Sequence, residues 1–277
     1  MKTRTDIRLI AMDLDGTLLT TDKRLTERNL AAMEKAAQAG IVIVPATGRV
    51  YTGVPEEIKA LPFIRYLILA NGATVYDRNT DKVLYSAEIP AETAIEVLTW
   101  LDGFPVIYDC YQDNRGYMTA EMWDRADRYT AGPVYLRMIR ALRKPVPDLK
   151  EYIRACGRSV QKLQAHCETT EMQELVLKQT AARFPRLVMS SSIARNVEIN
   201  DARANKGAAL QALCDCLGIG TEATMAFGDG SNDLSMIRVA GTGVAMGNSV
   251  QEVLDAADMI APDNDADGVG SVIEAIL

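Results

Sequence analysis

The sequence predicts an α/β protein with a doubly wound parallel-sheet core and an inserted α+β domain. Short, wholly apolar runs alternate with helical segments in the first and last thirds of the chain. Such runs are typical of strands buried on both faces of a parallel sheet. The middle third loses this alternation and holds both tryptophans. We therefore assign residues 1–84 and 190–277 to the core and residues 85–189 to the insertion.

The elements of the core follow from apolar runs and from signals at helix ends. Thr26 is a favourable N-cap and Gly40 a favourable helix end, so we predict a helix between them. The first part also has predicted strands at 9–12, 41–44 and 67–70, a short helix near 56–60, and a hairpin at 74–76 and 83–85. The last part has predicted helices at 206–217, 233–239, 250–256 and 268–276, and strands at 224–227, 243–246 and 259–260.

Length and charge narrow the range of functions. The chain has 277 residues, enough for a substantial core, and its 30 basic and 37 acidic residues give a net charge of −7. An acidic chain lacks the broad positive field that follows a nucleic-acid backbone, so we expect no nucleic-acid partner. No apolar run reaches the length of a membrane-spanning helix, so we expect no membrane partner either. The oligomeric state is not predicted.

The cysteines and the histidine favour a reduced, cytoplasmic protein. The five cysteines are odd in number and show no C-x-x-C spacing, and the N-terminus lacks the apolar stretch of a secretory signal. His166 is the only histidine, which excludes a zinc site built from several histidines. We expect His166 to be a structural residue.

The strongest chemical signal is the run from Asp13 to Thr17, DLDGT, directly after the first predicted strand. Alternation along a strand would point Asp13 and Asp15 the same way, at the carboxyl end where open α/β sheets bind ligands. Two carboxylates so placed repel each other unless a cation lies between them or one holds a proton. The motif therefore favours metal or acid–base chemistry over the simpler interpretation, a polar turn.

A second acidic motif, GDGSND at residues 228–233, follows another predicted strand. Asp13, Asp229 and one main-chain carbonyl would supply the oxygen ligands that Mg²⁺ prefers. The simpler interpretation is that Asn232 or Asp233 caps the next helix.

Two weaker motifs would complete a phosphate site. Thr47 and Gly48 follow the second predicted strand, where a hydroxyl group and main-chain amides can hold phosphate oxygens. Lys206 begins a predicted helix, which would place its ammonium group beside a dianion. Each motif is weak alone, because Thr-Gly turns and solvated lysines are common.

Taken in order, these motifs resemble the haloacid dehalogenase-like superfamily, and most closely its Cof-type phosphatases. The matching segments are DLDGTLL, ATGR, NGA at 71–73, KGAAL at 206–210, GDGSND, AMGN at 245–248 and DGV at 267–269. The resemblance spans both outer thirds of the chain and implies that the insertion is a substrate-facing cap. It also implies a magnesium-dependent hydrolase of small phosphorylated metabolites. Pro262 departs from the threonine found in many relatives, and we expect no effect on the chemistry.

The resemblance further implies a role for each motif residue. Asp13 would attack phosphorus and form an aspartyl phosphate, and Asp15 would protonate the leaving oxygen and then activate water. The phosphoryl oxygens would contact the amides of Leu14 and Gly48, the Thr47 hydroxyl, Lys206 and Asn232. Magnesium would be held by Asp13, Asp229 and the carbonyl of Asp15, with Asp233 orienting a metal-bound water.

Two other functions stay open. A phosphosugar mutase would pass the aspartyl phosphate to a second sugar hydroxyl instead of to water. A non-catalytic module that binds phosphorylated metabolites is the third hypothesis. The presence of Asp15 argues against that module, since binding alone needs no second acid.

Two further patterns have simpler interpretations. Residues 263–268 with Glu274 fit the EF-hand calcium pattern, but Pro262 stands where the entering helix should be, so we expect a polar loop. Arg137, Arg140 and Arg143 recur at helical spacing, and we expect them to form a solvated helix face.

Overall fold

The computed structural model describes residues 7–191 and 194–277, which form two compact units. The first unit comprises Met1–Arg49, Val54–Ser86 and Ala204–Leu277, and the second comprises Val50–Gly53 and Ala87–Arg203. The first unit opens with β1 (Leu9–Met12), α1 (Glu27–Gln38), β2 (Val42–Pro45), α2 (Glu56–Lys59), β3 (Tyr66–Leu69), β4 (Thr74–Asp77) and β5 (Lys82–Ser86).

The second unit follows along the chain. Its elements are α3 (Ala91–Leu101), β6 (Val106–Gln112), β7 (Arg115–Thr119), α4 (Ala120–Asp124), α5 (Ala126–Tyr129), α6 (Pro133–Leu142), β8 (Arg143–Val146), α7 (Leu149–Cys156), β9 (Lys162–Cys167), α8 (Thr170–Arg183), β10 (Leu187–Ser190) and β11 (Asn196–Asp201). The chain then returns to the first unit with α9 (Lys206–Leu217), β12 (Thr224–Gly228), α10 (Leu234–Val239), β13 (Thr242–Ala245), α11 (Gln251–Ala256), β14 (Met259–Ile260) and α12 (Gly268–Ile276).

The first unit is built on a parallel sheet with the strand order β14-β13-β12-β1-β2. All four residues of β1 are buried, as expected for a strand covered on both faces. Leu9 and Ala11 belong to one apolar cluster with Leu210 and Leu213 of α9. The predicted α/β fold class is confirmed by this sheet.

The third predicted strand is placed differently from our expectation. β3 pairs antiparallel with β4, which pairs antiparallel with β5 in the predicted hairpin. Ala46 and Ile68 form an isolated parallel bridge between β3 and the end of β2, where the Thr47 amide donates to the Ile68 carbonyl at 2.8 Å. The hairpin draws β3 into an antiparallel sheet, so this apolar run does not extend the parallel sheet as a full strand.

The second unit contains a sheet with the strand order β10-β11-β9-β6-β7-β8, in which β7 and β8 are parallel and the other pairs are antiparallel. This unit extends to Arg203, whereas the sequence led us to end the insertion at residue 189. The reason is that β11 pairs with β9 and β10.

In the described parts of the chain, no helix combines the length and the apolar character needed to cross a membrane.

Arg143 contradicts the predicted solvated arginine face. α6 ends at Leu142, and Arg143 begins β8 with a side chain that has no exposed surface. Its Nε donates to Asp109 Oδ2 at 3.1 Å, and the Nε2 atom of His166 lies 2.7 Å from the same oxygen. The helix stops because residues 143–146 pair with β7, which turns Arg143 into the protein interior.

The segment that fits the EF-hand pattern forms a polar loop. The Asp265 carboxylate accepts hydrogen bonds from the Thr21 amide and hydroxyl group, both at 2.8 Å. Glu274 forms an ion pair with Arg28 at 2.8 Å. These two carboxylates therefore serve different partners and do not share a cation site.

Candidate active site

Both acidic motifs lie at the same edge of the parallel sheet. β1 and β12 are neighbours, and their register pairs Met12 with Phe227. β1 pairs with β2 on its other side, so the chain winds in opposite directions on the two sides of β1. Ligands bind at the carboxyl ends of the strands at such a switch point. Asp13 follows β1, Asp229 follows β12, and the Asp13 amide donates to the Phe227 carbonyl at 3.0 Å.

Asp13 and Asp15 lie beyond the end of β1, not within a strand as the alternation argument assumed. The chain turns back after Met12, with the Leu18 amide bonded to the Asp13 carbonyl at 3.2 Å. Leu14, between the two acids, is fully buried. The turn, and not the pleat of a strand, sets the directions of the two carboxylates.

Gly16 allows this turn to meet the second acidic motif. Its φ is +86°, and a methyl group built on its Cα would lie 2.4 Å from the Asp229 Oδ2 atom. The next residue, Thr17, donates its hydroxyl hydrogen to Asp229 Oδ1 at 2.7 Å. Any larger residue at position 16 would therefore displace Asp229 or the turn.

Lys206 joins two of the acids. It is the first residue of α9, whose N-cap Asn205 accepts a hydrogen bond from the Ala208 amide at 2.8 Å. The Lys206 side chain is fully buried, and its Nζ donates to Asp13 Oδ1 at 2.6 Å and to Asp233 Oδ1 at 2.5 Å. Although burial opposes it, Asp13 and Asp233 raise the pKa of the Lys206 ammonium group, so it stays charged.

Asp233 organises the loop that carries Asp229. Its Oδ2 accepts hydrogen bonds from the amides of Asp229 at 2.9 Å and Gly230 at 3.0 Å, while its Oδ1 accepts from Lys206. Both carboxylate oxygens of Asp233 are therefore engaged by protein donors. This arrangement suits a residue that orients the site better than one that binds a metal directly.

The acids form the setting that a cation requires. One carboxylate oxygen from each of Asp13, Asp229 and Asp233 lies within 4.8 Å of the others, and no other such group of His, Cys, Asp or Glu occurs in residues 7–191 and 194–277. Burial raises the pKa of Asp13 to about 8 and that of Asp229 to about 6. Three acids crowd one ammonium group, and a divalent cation bound among them would favour their ionised forms. An oxygen-only donor set of this kind fits Mg²⁺.

Asp15 has a different electrostatic setting. Arg49 donates Nε to Asp15 Oδ2 and Nη2 to Asp15 Oδ1, both at 2.7 Å, and Lys23 Nζ lies 2.9 Å from Oδ1. Although burial acts to raise it, the hydrogen bonds and charge of Arg49 lower the pKa of Asp15 to about 2. The buried Asp13 and the ion-paired Asp15 are therefore shifted in opposite directions.

Three loops meet around Thr47 and Gly48. Thr47 is buried, and its Oγ1 accepts a hydrogen bond from the Arg49 amide at 3.1 Å. A methyl group built on Gly48 would lie 2.7 Å from the Asn71 Oδ1 atom, which also accepts from Asn232 Nδ2 at 3.2 Å. The predicted phosphate residues after β2 and β12 are thus linked through Asn71 after β3.

Sequence reasoning gave no role to three residues of this site. Arg49 and Asn71 stand within segments that matched the family pattern, ATGR and NGA, so the motifs contained them. Lys23 had no signal, because it lies in an ordinary polar stretch and reaches Asp15 only through the fold.

Comparison with known proteins decides the family. The family model described as haloacid dehalogenase-like hydrolase matches residues 10–273. The chain belongs to this family. The resemblance stated from the motifs is therefore confirmed, and relatives named as phosphatases support the assignment of this hydrolase to the phosphoric monoester hydrolases.

Relatives of this haloacid dehalogenase-like hydrolase match it over nearly their whole length. The chain is 30% identical to "Phosphatase YwpJ" of Bacillus subtilis, with 98% of this chain and 100% of the relative covered. It is 27% identical to "Pyridoxal phosphate phosphatase YbhA" of Escherichia coli, over 96% and 97% of the two chains. A solved haloacid dehalogenase-like hydrolase from Bacteroides thetaiotaomicron has a TM-score of 0.84 at 25% identity, over 98% and 100% of the two chains.

Proposed function

We propose that this hydrolase is a magnesium-dependent phosphatase that cleaves small phosphate monoesters through an aspartyl phosphate on Asp13. The observation that carries the proposal is the buried contact between Asp13 Oδ1 and the Lys206 ammonium group at 2.6 Å, two residues before the second acid, Asp15. Phosphate monoesters are so inert that their hydrolysis needs up to ~10²¹-fold acceleration. Fixed positive charge must also offset the repulsion between a carboxylate and a phosphate dianion.

In the first step, a carboxylate oxygen of Asp13 forms a bond to phosphorus while the bond from phosphorus to the leaving oxygen breaks. Lys206 offsets negative charge on both groups, and Thr47, Gly48, Leu14 and Asn232 would hold the phosphoryl oxygens. Asp15 gives its proton to the leaving oxygen. A phosphate dianion beside Asp15 favours the protonated acid by like-charge repulsion, which opposes the effect of Arg49.

In the second step, water attacks the phosphorus of the aspartyl phosphate and gives a proton to Asp15. The bond from phosphorus to Asp13 breaks, so inorganic phosphate leaves and both acids return to their starting forms. The ion pair with Arg49 favours the ionised Asp15 that this step needs.

Magnesium would be held by Asp13, Asp229 and the carbonyl of Asp15, and would stabilise negative charge on the transferring phosphoryl group. Asp233 would orient one of its waters while it keeps Lys206 and the 229–230 amides in place.

For the substrate, we propose a small phosphorylated metabolite. A relative at 27% identity is named for pyridoxal phosphate, which is of this class. We further propose that the first unit carries the phosphate chemistry and that the second unit, which contains most of the insertion predicted at residues 85–189, sets substrate preference. Every site residue described above belongs to the first unit, which supports this division.

The decisive experiment traps the intermediate. Wild-type, Asp13→Asn and Asp15→Asn proteins would be mixed with a phosphorus-labelled ester and Mg²⁺, quenched in acid, and digested to locate the label. We expect rapid phosphate release from the wild type, slow-decaying label on Asp13 in Asp15→Asn, and neither in Asp13→Asn. Phosphate release by a folded Asp13→Asn protein would refute the assignment. Isomer formation from hexose phosphates, instead of phosphate release, would indicate the mutase.

A further inference from the structure

Arg49 donates two hydrogen bonds to the carboxylate of Asp15, the second acid of the site. Its Nε and Nη2 atoms each donate to a different oxygen of the Asp15 carboxylate, both at 2.7 Å. The planar guanidinium fork matches a carboxylate, so two parallel bonds fix the plane of the acid as well as its distance. Lys23 contacts the same carboxylate at 2.9 Å, but its side chain is 53% exposed and its single ammonium group cannot fix that plane.

The backbone of Arg49 is hydrogen-bonded to Thr47, one of the proposed phosphate-binding residues, and to Ala70. Its amide donates to Thr47 Oγ1 at 3.1 Å, and its carbonyl accepts from the Ala70 amide at 2.9 Å. The main chain that carries the guanidinium fork is therefore anchored on the loop that would hold the phosphoryl oxygens. Through this one residue, the orientation of Asp15 is set relative to Thr47.

We propose that Arg49 is a positioning residue that aims the Asp15 carboxyl at the leaving oxygen of the substrate and then at the attacking water. This inference rests on the proposed function, because it takes Asp15 as the proton donor. It assigns Arg49 no contact with phosphorus. Loss of Arg49 should therefore slow each reaction in proportion to its need for a well-aimed proton.

The test uses two esters of nearly equal shape. Phenyl phosphate and p-nitrophenyl phosphate place the same ring in the site, but nitrophenolate leaves readily without a proton whereas phenolate does not. The loss of kcat/KM in Arg49→Lys, which keeps the charge and loses the fork, should be at least ~10-fold greater for phenyl phosphate than for p-nitrophenyl phosphate, since general acid catalysis contributes about 10²–10⁴-fold where it is needed. Arg49→Gln also removes the charge that opposes protonation of Asp15, so it should show the same direction with a smaller ratio.

A comparison of single and double variants separates the positioning of Asp15 from any other role of Arg49. In the Asp15→Asn background, Arg49→Gln should change kcat/KM on phenyl phosphate by less than ~3-fold, because the group that it positions is no longer an acid. Arg28→Gln is the matched control. It removes another arginine that donates through Nε and Nη2, at 3.2 and 2.8 Å, to one carboxylate, that of Glu274 in the same unit. It should leave the ratio between the esters unchanged.

The outcomes are distinct. Equal losses on both esters, or a full additional loss in the Asp15→Asn background, would mean that Arg49 contacts the phosphate or supports the fold, and would overturn the inference while the phosphatase activity stands. A wild-type protein that releases no phosphate from any ester would overturn the proposed function itself, and this inference with it. A changed ester ratio together with non-additivity would establish the positioning role.

Discussion

Gly72 lies against Asn205, the residue that caps the lysine-bearing helix α9. A methyl group built on Gly72 would stand 2.3 Å from both the carbonyl carbon and the carbonyl oxygen of Asn205. Gly72 also has a φ of +92°, and Ala70 and Asn71 before it have φ values of 50° and 60°. The left-handed turn after β3 therefore sets how closely the start of α9 approaches residues 70–72.

We predict that Gly72→Ala lowers both stability and activity. The positive φ and the clash with Asn205 should together cost more than about 2 kcal/mol of unfolding free energy, and the displaced Lys206 should reduce kcat/KM. Gly40→Ala is the matched control, since Gly40 has a φ of +86° with nothing within 4 Å of the added methyl group. It should cost about 1 kcal/mol with little effect on activity. Urea unfolding and phosphate release measure both; equal losses in the two variants would contradict the close-approach argument.

Lys206→Met should depress activity on every substrate. It removes a buried charge next to Asp13, and loss of one preorganised contact to the transition state costs about 10²–10³-fold in rate. The control is Lys35→Met, an exposed lysine of α1, which should change kcat/KM by less than ~2-fold. Phosphate release from a panel of sugar phosphates measures the effect. A loss confined to a few substrates would show that Lys206 acts on the leaving group.

Magnesium should stabilise the protein as well as activate it. Saturating Mg²⁺ should raise Tm by about 5 °C, because a cation bound to the folded state offsets the repulsion among Asp13, Asp229 and Asp233. Asp229→Asn should lose this increase, and a chelator should abolish wild-type turnover. Scanning calorimetry measures Tm, and a sample with NaCl at the same ionic strength in place of the magnesium salt is the control. Full turnover in excess chelator would exclude the metal site.

A substitution in the second unit should change preference more than chemistry. Arg137→Ala, at an exposed position of α6, should alter the ranking of phosphorylated metabolites while hydrolysis of p-nitrophenyl phosphate stays within ~3-fold. Tyr117 is unsuitable for this test, because it is buried and packs on Tyr152 with ring centroids 4.4 Å apart. Should a folded Arg137→Ala protein lose the small ester altogether, the insertion would supply a catalytic group.

The ion pair between Arg65 and Asp77 should shape acid stability. Hydrogen bonds from Arg65 lower the pKa of Asp77 to about 2, below the value near 4 of an unfolded chain. The depressed pKa contributes stability above pH 4 that is lost as pH falls from about 4 to about 2. Arg65→Gln should flatten this part of the profile, and Arg24→Gln, which breaks an exposed pair with Asp22, should not. Urea midpoints measured from pH 6 to 3 decide between these outcomes.

Local signals explain what the sequence revealed. The helix predicted at 206–217 coincides with α9, because Gly218 ends it with a φ of +64°. The acidic motifs after β1 and β12 were visible as motifs, and the parallel sheet brings them together. The sequence did not predict the hydrogen bonds of Asp233 to Lys206 and to the 229–230 amides, or the two bonds from Arg49 to Asp15. These contacts depend on how the loops fold, which no local pattern describes.

The insertion shows the limit of pattern reading. Arg143 shares a three-residue spacing with Arg140, yet it is buried against Asp109 beside His166. Asp109 is 34 residues from Arg143 and 57 residues from His166 along the chain, and no periodicity links these three residues. Burial of a charge depends on such distant partners, so helical spacing alone cannot predict it.

The order of strands has a consequence for how the chain is made. β1 lies between β2 and β12, and its Met12 pairs with Phe227. The N-terminal end of the chain emerges from the ribosome first. Two strands that are distant in the sequence can pair only after both have emerged. The bond between Asp13 and Lys206 spans 193 residues, so a nascent chain can complete its whole insertion before Asp13 meets Lys206. Catalytic competence is thus among the last properties that synthesis confers on this protein.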